Sequence, residues 1–153
     1  MSSITNETEF KNAINQLTLA QQRRVGGLFV ENVLALCNDH RVKNALNAIK
    51  STTINPDELA TVYRSAKTAS TESFTQCGKD VDWLGQAGHF VAAASVACVT
   101  PENQIKSTDN LAWTAAMHGR MARTFETIAA GKGSENEETQ QQYQILARFL
   151  ETL

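Results

Sequence analysis

Gly85-Gln86-Ala87-Gly88-His89-Phe90-Val91-Ala92-Ala93-Ala94-Ser95 and Leu111-Ala112-Trp113-Thr114-Ala115-Ala116-Met117-His118-Gly119-Arg120-Met121-Ala122-Arg123 are the two stretches that decide how this chain folds. Both are rich in Gly and Ala, and each carries one histidine. On a helix, Gly85, Gly88, Ala92 and Ser95 share a face, as do Ala112, Ala115, Gly119 and Ala122. Faces this smooth let helices approach closely. They also place His89 and His118 near the inside of a bundle.

Strand signals are nearly absent around these stretches: no run alternates apolar and β-branched residues with polar ones, and no Asn-Gly or Asp-Gly turn occurs. Helix signals are frequent. Asn55-Pro56-Asp57-Glu58 puts a cap, a proline at the first helical position and two acids in sequence, and Thr100-Pro101-Glu102 repeats that grammar. Thr18 to Gln21 and Ser134 to Glu137 read as capping boxes. The pattern predicts helices over about 6–16, 19–37, 41–51, 56–76, 79–99, 108–130 and 135–152, with a bend near Gly78 and a stop at Gly131-Lys132-Gly133. Val25, Phe29, Val33 and Leu36 form the inward face of the second of these, and Val42, Ala45, Leu46 and Ile49 that of the third. The expected fold is all-α, a single domain over 1–153, built as a bundle of about six helices.

The chain has 153 residues, 14 basic and 16 acidic, for a formal charge of −2. No basic stripe marks a nucleic-acid surface. No apolar run is long enough to cross a bilayer. The polar, acidic N-terminus is not a signal peptide. Cys37, Cys77 and Cys98 lack C-x-x-C spacing, which argues against a disulfide framework and a thiolate zinc site and fits a cytoplasmic location.

His89 and His118 are the first site candidates, as metal ligands or an acid–base pair; the bland alternative is a pair of core histidines bonded across a tight helix contact. Glu31 sits on a strongly apolar helix, either paired with an Arg or with His89, or on the wet edge. Asp39 is a candidate cap for the next helix, with Arg41 reaching for a carboxylate. Trp83 and Trp113 read as core or interface anchors. Arg120 and Arg123, with Arg64 and Lys67, are either an anion site or a solvated helix face. No ligand set for a metal, no cofactor motif and no nucleophile signature is visible, so the chain is read as binding no cofactor and as not an enzyme.

A family resemblance adds a functional expectation. The order runs through Phe29-Val30-Glu31-Asn32-Val33-Leu34, then Asp39-His40-Arg41-Val42-Lys43-Asn44-Ala45-Leu46, then Tyr63-Arg64-Ser65-Ala66-Lys67-Thr68-Ala69, then Ala87-Gly88-His89-Phe90-Val91-Ala92. It resembles the bacterial immunity proteins called Imm-5-like, over about residues 30–125. That family pairs an E-x-V-L helix with a D-x-R helix and a later A-G-H-A-V-A helix. Glu31, Asp39, Arg41, Gly88 and His89 carry the match. Where the family shows a second His soon after its A-G-H segment, this chain has Ser95 and Val96, and residues 134–153 have no counterpart. The resemblance implies a small cytoplasmic helical protein that binds and neutralises a cognate toxin.

The preferred expectation is thus a protein-binding domain with a toxin-like partner. A helical small-molecule binder or enzyme using His89 and His118 is the first alternative. An oligomeric structural or adaptor domain, self-associating through the small-residue faces, is the second. Glu31, Asp39, Arg41, His89 and His118 are expected to form a polar cluster, with Glu31 or Asp39 bonded to Arg41 or His89.

Overall fold

Helices in this chain begin where a polar side chain can take an otherwise unpaired backbone N–H. The computed structural model describes residues 3–51, 54–76 and 82–153, apart from the side chains of residues 75 and 76. Its α-helices are α1 (Glu7–Asn15), α2 (Leu19–Glu31), α3 (His40–Lys50), α4 (Pro56–Gln76), α5 (Trp83–Val99), α6 (Leu111–Ala129) and α7 (Glu138–Glu151). Asn6, Thr18, Asp39, Asp82 and Asn110 each accept a first-turn N–H of the helix that follows. Asn55 does the same for α4, taking the Glu58 N–H at 2.8 Å. Thr18 and Gln21 make the expected reciprocal capping box. At the end of α6, Gly131 turns to φ +75°. Its N–H reaches the Ile128 carbonyl and that of Lys132 reaches Thr127, a Schellman closure that needs a residue at ease with positive φ.

The fold is all-α, with no strand among the described residues and seven α-helices where about six were expected. Three local expectations change. The helix predicted over 19–37 stops at Glu31 and resumes as a 3-10 turn at Leu34–Leu36. The reason lies at Asn32. Its carbonyl accepts from Arg123 at 3.1 Å and its amide donates to Glu138 and Gln141 at 2.7 Å each. The capping box expected at Ser134–Glu137 does not form: α7 starts at Glu138, whose N–H is taken by Asn136 at 3.0 Å, and Glu138 turns inward. Thr100-Pro101-Glu102 opens only a 3-10 turn, Glu102–Gln104. Cys77 and the bend near Gly78 lie outside the described residues, as does the predicted start of the 79–99 helix.

α5 is the central helix. It has its most extensive contact with α6, then with α4, and also touches α2 and α3. The small faces are used in large part as expected: Ala92, Ser95, Ala112, Ala115, Gly119 and Ala122 are buried, whereas Gly85 and Gly88, at the start of α5, are only half-buried. At the tightest point α2 joins them. A Cβ on Gly26 would lie 3.0 Å from Cys98 Sγ, 3.5 Å from Ala115 Cβ and 3.6 Å from the Ala112 Cα. Large side chains are displaced outward from this axis. On one flank Phe10 collects the rings of Phe29, Tyr143 and Trp113 at 5.7, 5.4 and 6.2 Å between centroids.

Two arginines of α6 tie the terminal helices to this core. Arg120 bonds Glu7 of α1 at 2.7 Å and Gln142 of α7 at 2.8 Å. Tyr143 donates to the same Glu7, and Gln142 donates to the Ala116 carbonyl at 2.9 Å. Arg123 bonds Glu138 at 3.0 Å and Glu126 at 3.1 Å. The Glu138 side chain is fully buried, and a buried carboxylate is tolerated only when paired and hydrogen-bonded.

Ala92→Leu and Gly26→Leu should each lower stability by about 1–3 kcal/mol through overpacking, read as a shifted denaturation midpoint with unchanged slope. Arg123→Gln strands the Glu138 carboxylate and should cost about 3–5 kcal/mol. The double variant Arg123→Gln/Glu138→Gln should recover part of that loss.

Candidate functional site

Trp83 and Phe90 on α5, and His118 and Phe125 on α6, are each seven residues apart, so each pair occupies one helix face two turns apart. The two helices run antiparallel, and their rings interleave into one column. Trp83 stacks on Phe125 at 5.4 Å, Phe125 on Phe90 at 5.4 Å, and Phe90 on His118 at 5.8 Å, with interplanar angles of 18°, 14° and 29°. His89 meets Phe90 edge-on at 5.3 Å and faces Phe74 of α4 at 5.5 Å. This stacking joins three helices at one flank of the bundle. Reading the residues one at a time missed it; the shared seven-residue spacing was the available signal.

His89 Nδ1 lies 3.0 Å from the Ser70 carbonyl oxygen and 3.0 Å from Ser73 Oγ. A carbonyl can only accept, so this contact assigns the proton to Nδ1. The partners come from α4, one of them a carbonyl as in the bland alternative for the histidines, while Glu31 and Asp39 bond to groups other than His89. Beside it, Asp39 and Arg41 meet at 2.7 Å and Arg41 reaches Glu72 at 2.7 Å. Asp39 also accepts the Arg41 N–H at 2.9 Å as the cap of α3. The Arg41 guanidinium holds the Asp39 carboxyl below its usual range. Gly88 belongs to the same corner: a Cβ there would stand 3.2 Å from the Leu36 carbonyl.

The expected cluster therefore divides. Asp39 pairs with Arg41, while His89 and His118 flank Phe90. Glu31 stands apart, exposed and bonded to Lys50 at 2.9 Å. Arg120 and Arg123 form no anion site with Arg64 and Lys67. The first two are held by the carboxylates of Glu7, Glu126 and Glu138, and Lys67 lies over the Tyr63 ring. Trp113 packs beside Phe10 with Lys11 Nζ 5.1 Å from its ring centre. Most of the small-residue faces are used inside the chain, while Gly85 and Gly88 stay half-buried. Among the described residues, no group of three or more His, Cys, Asp or Glu is placed to hold a metal. No helix among them is long and apolar enough to cross a membrane. Burial pushes the Cys98 thiol up to about 12 and raises that of Cys37, which keeps both protonated and poorly nucleophilic at neutral pH.

A second concavity lies on another face. A cleft of about 680 Å³ opens between α2, α3 and α7, with Leu28, Ile49, Ile145 and Phe149 among its lining residues. Neither histidine lines it.

No protein-family model, curated protein or solved structure matches this chain.

Burial, and secondarily the charge of His89, lowers the His118 pKa below its ordinary value. The folded state thus refuses a proton that the unfolded chain accepts. This contribution is complete above about 6.5, the ordinary histidine value, and is lost as pH falls from there through the lowered pKa. His118→Phe keeps a ring on Phe90 and removes the titration. Its stability, followed by urea denaturation between pH 7.5 and pH 5, should fall less on acidification than that of the wild type.

Proposed function

We propose that this chain is a protein-binding helical domain of the immunity type, which neutralises a cognate bacterial toxin by seating it on the aromatic flank of α4, α5 and α6. The observation that carries the reading is the apolar surface left there: Phe74 is 68% exposed, Leu84 59%, Met121 40% and Trp83 36%. Single exposed hydrophobics are ordinary, but a cluster of large ones marks an interaction surface. Interface anchors are enriched in Trp and work best on a rigid support. Here the stacked rings of Phe125, Phe90 and His118 supply that support, and the Asp39–Arg41–Glu72 ion pairs give a polar edge of the kind that rims interfaces. The Imm-5-like resemblance points to the same kind of partner, and four of its five informative residues, Asp39, Arg41, Gly88 and His89, lie at this end of the fold, while Glu31 pairs with Lys50 elsewhere.

The small-molecule alternative required a pocket at His89 and His118, and the 680 Å³ cleft lies elsewhere. A chain of this type should have a toxin gene beside its own, and the test is protection of a host that expresses that toxin. Wild-type protein should restore growth and bind that toxin. Leu84→Ser/Met121→Ser, at exposed positions outside the ring stack, should weaken binding by tenfold or more and abolish protection while the thermal midpoint stays close to wild type. Protection undiminished by these substitutions would end the proposal.

A further inference from the structure

The cleft between α2, α3 and α7 has a polarity of its own. Arg24, Gly27, Leu28 and Glu31 follow one another along a single face of α2. That face spans seven residues, roughly 10 Å of helix. α7 runs antiparallel alongside: its Gln141 meets Asn32 at 2.7 Å, and its Phe149 lies under Arg24, whose guanidinium carbon is 5.5 Å from the ring centre. Arg24, Arg148 and Phe149 therefore share one end of the cleft. Leu28, Ile145 and Ile49 line the middle. The Lys50–Glu31 pair, at 2.9 Å, closes the far end.

The arginines of this chain are of two kinds: some are held by carboxylates, and others, Arg64 with its Thr61 hydroxyl contact among them, are not. Arg41, Arg120 and Arg123 are each held by carboxylates, and Arg23 donates to the Cys98 carbonyl at 2.9 Å. Arg24 and Arg148 have no carboxylate partner among the described residues. The lining includes three cations and one acid on a chain whose formal charge is −2. Gly27 widens the floor: a Cβ there would sit at ordinary contact distance, 3.5 Å, from Ile49, so α2–α3 packing does not require a glycine.

We propose that this cleft binds a small amphipathic anion, with its carboxylate or phosphate head between Arg24 and Arg148 and an unbranched apolar body running over Leu28, Ile145 and Ile49 toward Lys50. Arginine suits such a head because its planar fork matches both oxyanions. The cleft volume falls in the range of small-ligand sites, about 300–1,000 Å³. The site is separate from the aromatic flank, so it stands or falls independently of the toxin-binding proposal.

Titration calorimetry with decanoate, kept below its micellar concentration, tests it on the whole chain. The expected result is saturable binding at one site, with decanol and inorganic phosphate each at least tenfold weaker. Arg24→Gln/Arg148→Gln should weaken decanoate at least tenfold and leave decanol unchanged. Leu28→Glu, at a half-exposed position that leaves the core intact, should weaken decanoate and decanol alike without touching either arginine. Decyl phosphate beside decanoate reports which head the arginines prefer, and tighter binding of either supports the site. Amide shifts in nuclear magnetic resonance spectra should centre on Gly27 and Thr152. Absence of decanoate binding would overturn the proposal, as would inorganic phosphate binding equally well or both variants binding as wild type. So would shifts centred on Trp83, or binding only of an acidic amphipathic peptide.

Discussion

The contact at Gly26 sets the spacing of the bundle. There α2, α5 and α6 converge, so closely that even a methyl group at Gly26 would stand 3.0 Å from Cys98 Sγ and in contact with Ala112 and Ala115. Interior packing is dense enough that an added methylene must be accommodated by movement elsewhere. Three helices held this close leave the axis to Ala, Gly, Ser and Cys. The large rings must then lie off the axis, and they separate into two groups. One group, around Phe10 and Phe29, is roofed by α1 and α7. The other, from Trp83 to His118, is half-covered by α4, and no other described helix lies over it. The aromatic flank is therefore a consequence of the narrow axis, and among the described residues Phe74, Trp83, Leu84 and Met121 keep exposed surface there.

Charge is distributed by the same geometry. Arg120 and Arg123 rise from the buried side of α6 and have to be neutralised where they stand, because an unpaired charge in that environment is prohibitive. Their partners are the carboxylates of α1 and α7, so the roof over the Phe10 group is fastened by ion pairs as well as by rings. Arg123 also caps the Asn32 carbonyl at the end of α2; the backbone leaves the helix at Val33, and the Leu34–Leu36 turn follows, its Leu36 carbonyl facing Gly88. One guanidinium thus links the end of α2 and the buried start of α7, and through that turn bears on the corner where His89 sits. Arg24 and Arg148, on the outer surfaces of α2 and α7, escape this constraint. They are left beside an apolar cleft with their hydrogen-bonding capacity free of carboxylates.

The imidazoles occupy a middle position. His89 is fixed by a backbone carbonyl and a serine of α4, and His118 by stacking and burial. Both are parts of the wall that presents Trp83, Leu84, Phe74 and Met121. Their contribution to function, on the toxin-binding proposal, is to hold that wall rigid. This agrees with the bland alternative for two core histidines and differs from the acid–base pair.

Some of this was legible in the chain alone. Period-3.6 faces, caps at Thr18, Asp39 and Asn55, and the Gly131–Gly133 stop are local signals, and local physics places most of the helices within a few residues. The Gly/Ala faces likewise announce a close contact, because a side chain's size is a property of the residue itself. Asp39 and Arg41, two positions apart across a cap, could be paired from sequence for the same reason. What the tertiary structure decided are the long-range pairings. Glu138 belongs to Arg123, Glu31 to Lys50 rather than to His89, and His89 to a carbonyl on α4. A side chain's partner depends on which helix is laid beside it and in what register, and no short-range pattern carries that. The interleaving of Trp83, Phe125, Phe90 and His118 lies between these cases: the seven-residue spacing was written in each helix, but only their antiparallel packing turned two spacings into one column of rings.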